Sequence, residues 1–183
     1  MNGIYVEVDQ ADLNLVMKKL GDMSQAPRHL KNAINRTATK AKKTLASSAQ
    51  NAYTIKGAKF NSDIKIQRAT TTFLDAMLKA SGRPRTVMSF KHSMPKSGGR
   101  VDITKSGLKP LKTETQGAAF MFKGLMAQRT NRKERGPIRV AVSNSVPKMI
   151  EKVWKGERGM GDLQDTVRQQ LHDEIMEEIK RIM

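Results

Sequence analysis

Seven residues, Leu30, Ile34, Ala38, Ala41, Leu45, Ala49 and Ala52, recur at spacings of four, four, three, four, four and three, which is the period of an α-helix. They predict one long helix over about residues 25–52, with Ser24 as its N-cap and Pro27 in its first turn. Four of the seven are alanines. Such a stripe gains from burial only against a surface that comes close, a sheet or another helix, so the rest of the chain must be arranged around it. Arg36, Lys40, Lys42 and Lys43 fall mostly off the stripe and read as solvated side chains, with DNA contact as the alternative.

The remaining periodicities supply the partners. Ile4, Val6 and Val8 alternate as in a short strand, and Asp9 is placed to cap a helix reaching Leu20. Beyond residue 53 the period shortens. Ile64 and Ile66 alternate, residues 73–80 carry mixed apolar positions, and 101–104, 118–122 and 138–142 have strand character. Turn signals separate these runs: Ser81-Gly82-Arg83-Pro84, Pro95 to Gly99, and Asn131 to Pro137. The stretch from Arg83 to Arg100 has no period, five basic residues and no acidic one, and is expected to be a mobile basic loop. Residues 146–154 predict a short helix, followed by a glycine-rich link at 156–161. Asp162 then caps a last helix, on which Leu163, Val167, Leu171, Ile175, Ile179 and Ile182 form a stripe. Asp165 near its start and Lys180 and Arg181 near its end agree with the helix dipole.

The expected fold class is α+β: a long N-terminal helix packed on an antiparallel β-sheet or small barrel, with a C-terminal amphipathic helix. The chain divides into an N-terminal strand and short helix (1–22), a core domain (23–155), and a linker with the C-terminal helix (156–183). Leu, Ile, Val and Phe together number 38 of 183 residues, close to the roughly 20% below which a highly charged chain does not fold. The core must be thin.

Charge is the second constraint. The net +17 is not spread evenly: residues 1–22 and 151–183 each carry −2, whereas residues 23–150 hold 26 basic side chains against five acidic ones, a net of +21. Charge of that density must face water, counterions or a polyanion. Nucleic acid, which rewards Lys and Arg through counterion release, is the natural partner. With eight aromatics a platform that stacks single-stranded bases is not expected.

Catalytic chemistry has little to stand on. The absence of cysteine removes disulfides, thiolate metal sites and thiol nucleophiles. His29, His92 and His172 lie on unrelated segments, and no zinc, phosphate-loop or nucleophile-elbow motif occurs. In the C-terminal helix Asp173 and Glu177 share one face and Glu174 and Glu178 another, which reads as a solvated acidic surface rather than a metal site. No catalytic residue, metal or cofactor is expected. No apolar run is long enough to span a membrane, and residues 1–20 lack the apolar core of a signal peptide.

Two groups of residues carry a resemblance. The first is the helical run Leu30-Lys31-Asn32-Ala33-Ile34-Asn35-Arg36-Thr37-Ala38, followed by Ile55-Lys56, Ile64 to Ala69, and Ser81 to Pro84 ahead of Phe90. The second is Gly117-Ala118-Ala119-Phe120, Gln128-Arg129, Arg135-Gly136-Pro137-Ile138 and Ser145-Val146-Pro147-Lys148-Met149, in which a strand ends in Arg and the next opens on Arg-x-Pro-Ile. Over residues 25–155 the chain resembles the minor tail protein Z family of long-tailed bacteriophages. The resemblance implies a structural virion protein, a tail completion protein at the head-proximal end of the tail or neck, present in the host cytoplasm during assembly. It implies a homo-hexameric ring, contact with the tail terminator and tail tube, DNA passing through the channel, and no membrane.

A chain of 183 residues has a radius of gyration of about 16 Å, too small to surround a duplex alone, whereas a closed ring can. The candidates for facing DNA or the channel are Arg83, Arg85, Arg129, Arg132, Lys133 and Arg135, the last four around an expected hairpin tip. Those for an assembly interface are Leu163, Val167, Leu171, Ile175 and Ile179. The competing reading is a free, sequence-independent duplex DNA-binding protein.

Overall fold

The computed structural model describes residues 4–7, 14, 18, 25–55, 60–112, 116–131, 136–157 and 163–182. In chain order the elements are β1 (Ile4–Glu7), α1 (Ala26–Ala52), a single turn α2 (Phe60–Asp63), β2 (Ile64–Gln67) and β3 (Asp75–Ala80). Next come β4 (Pro84–Thr86), a 3-10 turn (Val87–Ser89), β5 (Lys91–Ser93), β6 (Arg100–Asp102) and β7 (Lys109–Pro110). The chain closes with β8 (Phe120–Phe122), β9 (Leu125–Arg129), β10 (Ile138–Val140), β11 (Val142–Ser145), α3 (Val146–Trp154) and α4 (Leu163–Ile182). Of the helix expected over 9–20, Asn14 and Lys18 are helical and the rest lies outside the described residues, as do Ser24 and Asp162. Gln25 occupies the N-cap position of α1.

The fold is α+β, with α1 packed against antiparallel sheet and with C-terminal helices beside it. Among the described residues the strands form three three-stranded sheets, ordered β1-β3-β2, β5-β6-β7 and β10-β9-β8, and a ribbon of β4 with β11. Every pairing is antiparallel and no sheet closes into a barrel.

The alanines of α1 explain this arrangement. Leu30, Ile34, Ala38, Ala41, Leu45 and Ala49 are all buried, and so are Ala33, Thr37, Ala46 and Ser48, a wider face than a single stripe. Two layers cover it. On one side lies α4, in the most extensive contact between any two elements; on the other lie the β1-β3-β2 sheet and α3. Small side chains let both layers come close, and the core is one continuous cluster from Ala26 to Ile179.

Polar side chains fix the connections. The Asn35 amide grips the Ala69 peptide at both ends, donating to its carbonyl (3.1 Å) and accepting from its N–H (2.9 Å), as a neighbouring strand would. At the far end of α1, Tyr53 donates its hydroxyl to Met149 O of α3 (3.3 Å). The Thr54 N–H reaches Ile103 O (3.1 Å), and its hydroxyl donates to Asp102 O and accepts from Lys91 N–H. The β5-β6-β7 sheet is thereby hung from the exit of α1. Gly98-Gly99 lets this sheet meet the start of β8, where Gly99 N–H donates to Ala119 O at 2.8 Å. A Cβ on Gly99 would lie 2.7 Å from Met126 Sδ, and Gly98 has φ +114°.

The stretch 83–100 is not the loop its sequence suggests. It holds β4, the 3-10 turn and β5, with Val87 and Phe90 buried. Strands of three residues are too short to alternate visibly. They are fixed from afar instead, by Thr86 opposite Val142 and Val87 N–H on Ala141 O.

One buried group in α1 is unsatisfied: the Thr37 hydroxyl finds no hydrogen-bond partner among the described residues. Thr37→Val keeps the shape and removes the desolvated hydroxyl, so stability to urea should rise by about 1 kcal/mol; a fall would show that the hydroxyl is paired in solution.

Candidate nucleic-acid interface

Locating a polyanion site means separating cations that are already neutralised from those that are not. The first kind concentrates where α1 meets α4. On α1, His29, Arg36 and Lys40 follow one line beside the apolar stripe; on α4, Glu174 and Glu178 do the same. The two lines interlock. His29 Nδ1 lies 2.9 Å from Glu178 Oε2, Arg36 bridges both carboxylates through Nε and Nη2, and Lys40 reaches Glu174. Arg181 adds a contact to Glu178 at 3.1 Å.

Glu174 and Glu178 are only 2% and 5% exposed. Burial is the largest influence on each and pushes its pKa up. For Glu174 it is outweighed by hydrogen bonds from Lys40 and Arg36 and by their charge, and for Glu178 by those of His29 and Arg36. Both carboxyls therefore sit below the ordinary carboxylate range. The expected solvated acidic face of Glu174 and Glu178 is thus corrected to a buried ionic seam, and Arg36 and Lys40 are part of it rather than free solvated cations. Part of the signal was present in the sequence: His29 and Lys40 on α1, and Glu174 and Glu178 on α4, each precede a stripe residue by one, whereas Arg36 does not.

The second kind of cation lies on the β5-β6-β7 sheet and its turns. Lys91, Lys96, Arg100, Lys105, Lys109 and Lys112 are all exposed, and no ion pair involves them among the described residues. The one described acid in this segment, Asp102, is buried and accepts from the Ser106 N–H at 3.0 Å. A second unneutralised pair sits on the outer face of the first sheet, where the exposed Lys65 and Lys79 are directly opposite across β2 and β3. Like charges in that position destabilise a sheet. Both places suit a run of phosphates.

The residues proposed from sequence fall differently. Arg83 is exposed. Arg85 is half-buried and its guanidinium is 3.1 Å from Asp63. Arg129 ends β9, donates to Gly136 O at 3.4 Å, and stands over the Phe120 ring. Arg132, Lys133 and Arg135 lie outside the described residues. Leu163, Val167, Leu171, Ile175 and Ile179 are buried in the chain's own core beside α1. The six cations of residues 91–112 gave no motif, because charge on irregular three-residue strands has no period.

No family model, curated protein or solved structure matches the chain. Among the described residues no cluster of His, Asp and Glu could hold a metal, and no helix is long and apolar enough to cross a membrane.

Two measurements test the seam. Arg36→Met leaves two buried carboxylates short of a partner and should cost about 3 kcal/mol in urea unfolding, the low end for a broken buried pair because Arg36 is one-third exposed; a loss under about 0.5 kcal/mol would place the seam in solvent. Since the folded pKa values of Glu174 and Glu178 lie below their unfolded values, their stabilisation is complete above the unfolded value near ~4.3 and is lost as pH falls below it. The melting temperature should therefore drop steeply below about pH 4, and less steeply in a Glu174→Gln, Glu178→Gln variant that starts from a lower value at neutral pH.

Proposed function

We propose that this chain is a structural, non-enzymatic component of a long-tailed bacteriophage virion: a tail completion, or minor tail, protein at the head-proximal end of the tail or neck, needed for head joining and DNA delivery. The observation that carries the reading is the exposed basic sheet of residues 91–112, whose six cations have no ion-pair partner among the described residues. Phosphate contact without base recognition lets a duplex slide, which a conduit requires. The resemblance to the minor tail protein Z family supports the same reading, and its carriers occupy structurally decisive places. Asn35 holds the loop after β2, Arg36 holds α4, and the Arg129 and Ile138 of the second carrier face one another across β9 and β10.

In this reading several copies, six by the symmetry of phage tails, form a ring whose basic sheets line or approach the channel, beside the tail terminator and tube. The chain is then a virion protein that assembles in the host cytoplasm. A free duplex-binding protein is the second reading, favoured by the same unpaired cations.

Charge reversal at Lys91, Arg100 and Lys109 separates the two. The purified chain should bind duplex DNA of any sequence, and the triple variant should bind with a log K against log salt slope shallower by about 2 to 3. For the tail protein, particles carrying the variant should assemble and fail to infect, and purified wild-type virions should contain the chain. Virions without it would overturn the tail reading in favour of the free binder; infectious variant particles would remove the basic sheet from DNA delivery.

A further inference from the structure

Phe73 is the most exposed large hydrophobic side chain among the described residues, at 70% against 37–56% for the others. It stands on the turn between β2 and β3, and that turn is closed by hydrogen bonds: Thr70 N–H donates to Phe73 O (2.8 Å), and Phe73 N–H donates to Thr70 Oγ1 (3.0 Å). One apolar side chain in solvent is ordinary. A ring fixed on a closed turn is a different object, because little backbone freedom is lost when a partner receives it. Asp75, two residues on, is also exposed and is opposite Glu7 in the register of β1 with β3. The nearest cation in sequence, Arg68, lines a separate depression with Asn32 and Lys40.

The chain also carries a receptacle of matching chemistry. A groove of about 490 Å³ lies between the second half of α1 and the turn α2, lined by Lys42, Lys43, Ala46 and the buried Phe60. No acidic residue lines it, and the adjacent Asp63 is held by Arg85. Neither Lys42, Lys43 nor Asp75 has an ion-pair partner among the described residues. Lysine methylenes and the Ala46-Phe60 floor suit a phenyl ring, and an ammonium group is attracted to its face. Knob and groove lie at opposite ends of the β2-β3 hairpin: α2 leads directly into Ile64, paired with Ala80, whereas the turn follows Gln67, paired with Met77. A chain therefore does not fill its own groove, but the next copy can.

We propose that Phe73 of one copy inserts into the Lys42-Ala46-Phe60 groove of a second copy, with Asp75 set against Lys43. The two surfaces are different, so the contact is heterologous and repeats head to tail, closing into a ring where the rotation allows it. Each copy then makes the contact twice, once through its knob and once through its groove. Nucleic acid would meet the two lysines, but it gives the Phe73 turn no role, and the Asp75 carboxylate repels phosphate. The inference does not depend on the tail reading, since a free duplex-binding protein would assemble in the same way.

Sedimentation velocity of the full chain, freed of nucleic acid and run over a series of concentrations, tests the contact. The wild type should self-associate. Phe73→Ser should weaken association roughly tenfold with the melting temperature unchanged, because the ring is mostly in solvent; loss of folding cannot imitate that result. Lys43→Glu should weaken association from the groove side. Mixing the two variants separates this contact from any symmetric one. Phe73→Ser keeps an intact groove and Lys43→Glu an intact knob, so one contact per pair is restored and the mixture should stop at one-to-one dimers. A mixture that stays monomeric, a wild type that is monomeric throughout, or Phe73→Ser association equal to that of the wild type overturns the proposal. So does association that appears only when an oligonucleotide is added, which would assign the lysines to nucleic acid.

Discussion

Two buried carboxylates hold the helical layer together. Glu174 and Glu178 would be costly inside a protein without partners, and the partners come from a helix nearly 140 residues earlier: the Arg36 Nε bond to Glu174 spans 138 positions. An ion pair inside a protein is weak support when it stands alone. Here each carboxylate accepts from more than one donor, and the donors keep part of their hydration at the rim. The seam also ties the register of α4 on α1, because each carboxylate bonds side chains from two different turns of α1.

That seam has a consequence for the surface. The acids best placed to neutralise α1 are turned inward, Asp63 is held by Arg85, and Asp102 by a backbone N–H. The acidic side chains of the described core thus serve folding, and the cations of the β5-β6-β7 sheet are left without counterparts. A chain with a net charge of +17 could have distributed its ion pairs evenly. Instead the ion pairs gather in the seam between α1 and α4, and the β5-β6-β7 sheet carries its cations unpaired among the described residues.

How much of this could be read from the chain depended on length and period. The helix of residues 26–52, the short helix at 146–154 and the apolar stripe of the last helix were legible because each repeats over several turns. β4, β5 and β7 were not, since two or three residues carry no period: β4 is placed by β11, more than 50 residues on, and β5 and β7 by their pairing with β6. The basic site was half legible. Its net charge appeared in the block of residues 23–150, but the emphasis on Arg83, Arg85 and Arg129 rested on local density. Folding neutralises Arg85 with Asp63, and exposes the more dispersed cations from Lys91 to Lys112.

The thin core sharpens the significance of what is left outside. With few large aliphatics available, small residues on α1 substitute close approach for bulk, and a few large side chains, among them Phe60, Phe90 and Met126, are fully buried. A chain so limited gains stability from every apolar group it can bury. Yet among the described residues eight large hydrophobics are exposed, and five of them, Met121, Phe122, Leu125, Val140 and Val142, fall between positions 121 and 142. Scattered exposure needs no explanation, whereas a contiguous patch on one face would. Phe122, Leu125 and Val140 share one face of the β10-β9-β8 sheet, Met121 projects from the other face of β8, and Val142 belongs to the ribbon of β4 and β11, so short strands expose apolar side chains on several surfaces rather than on one.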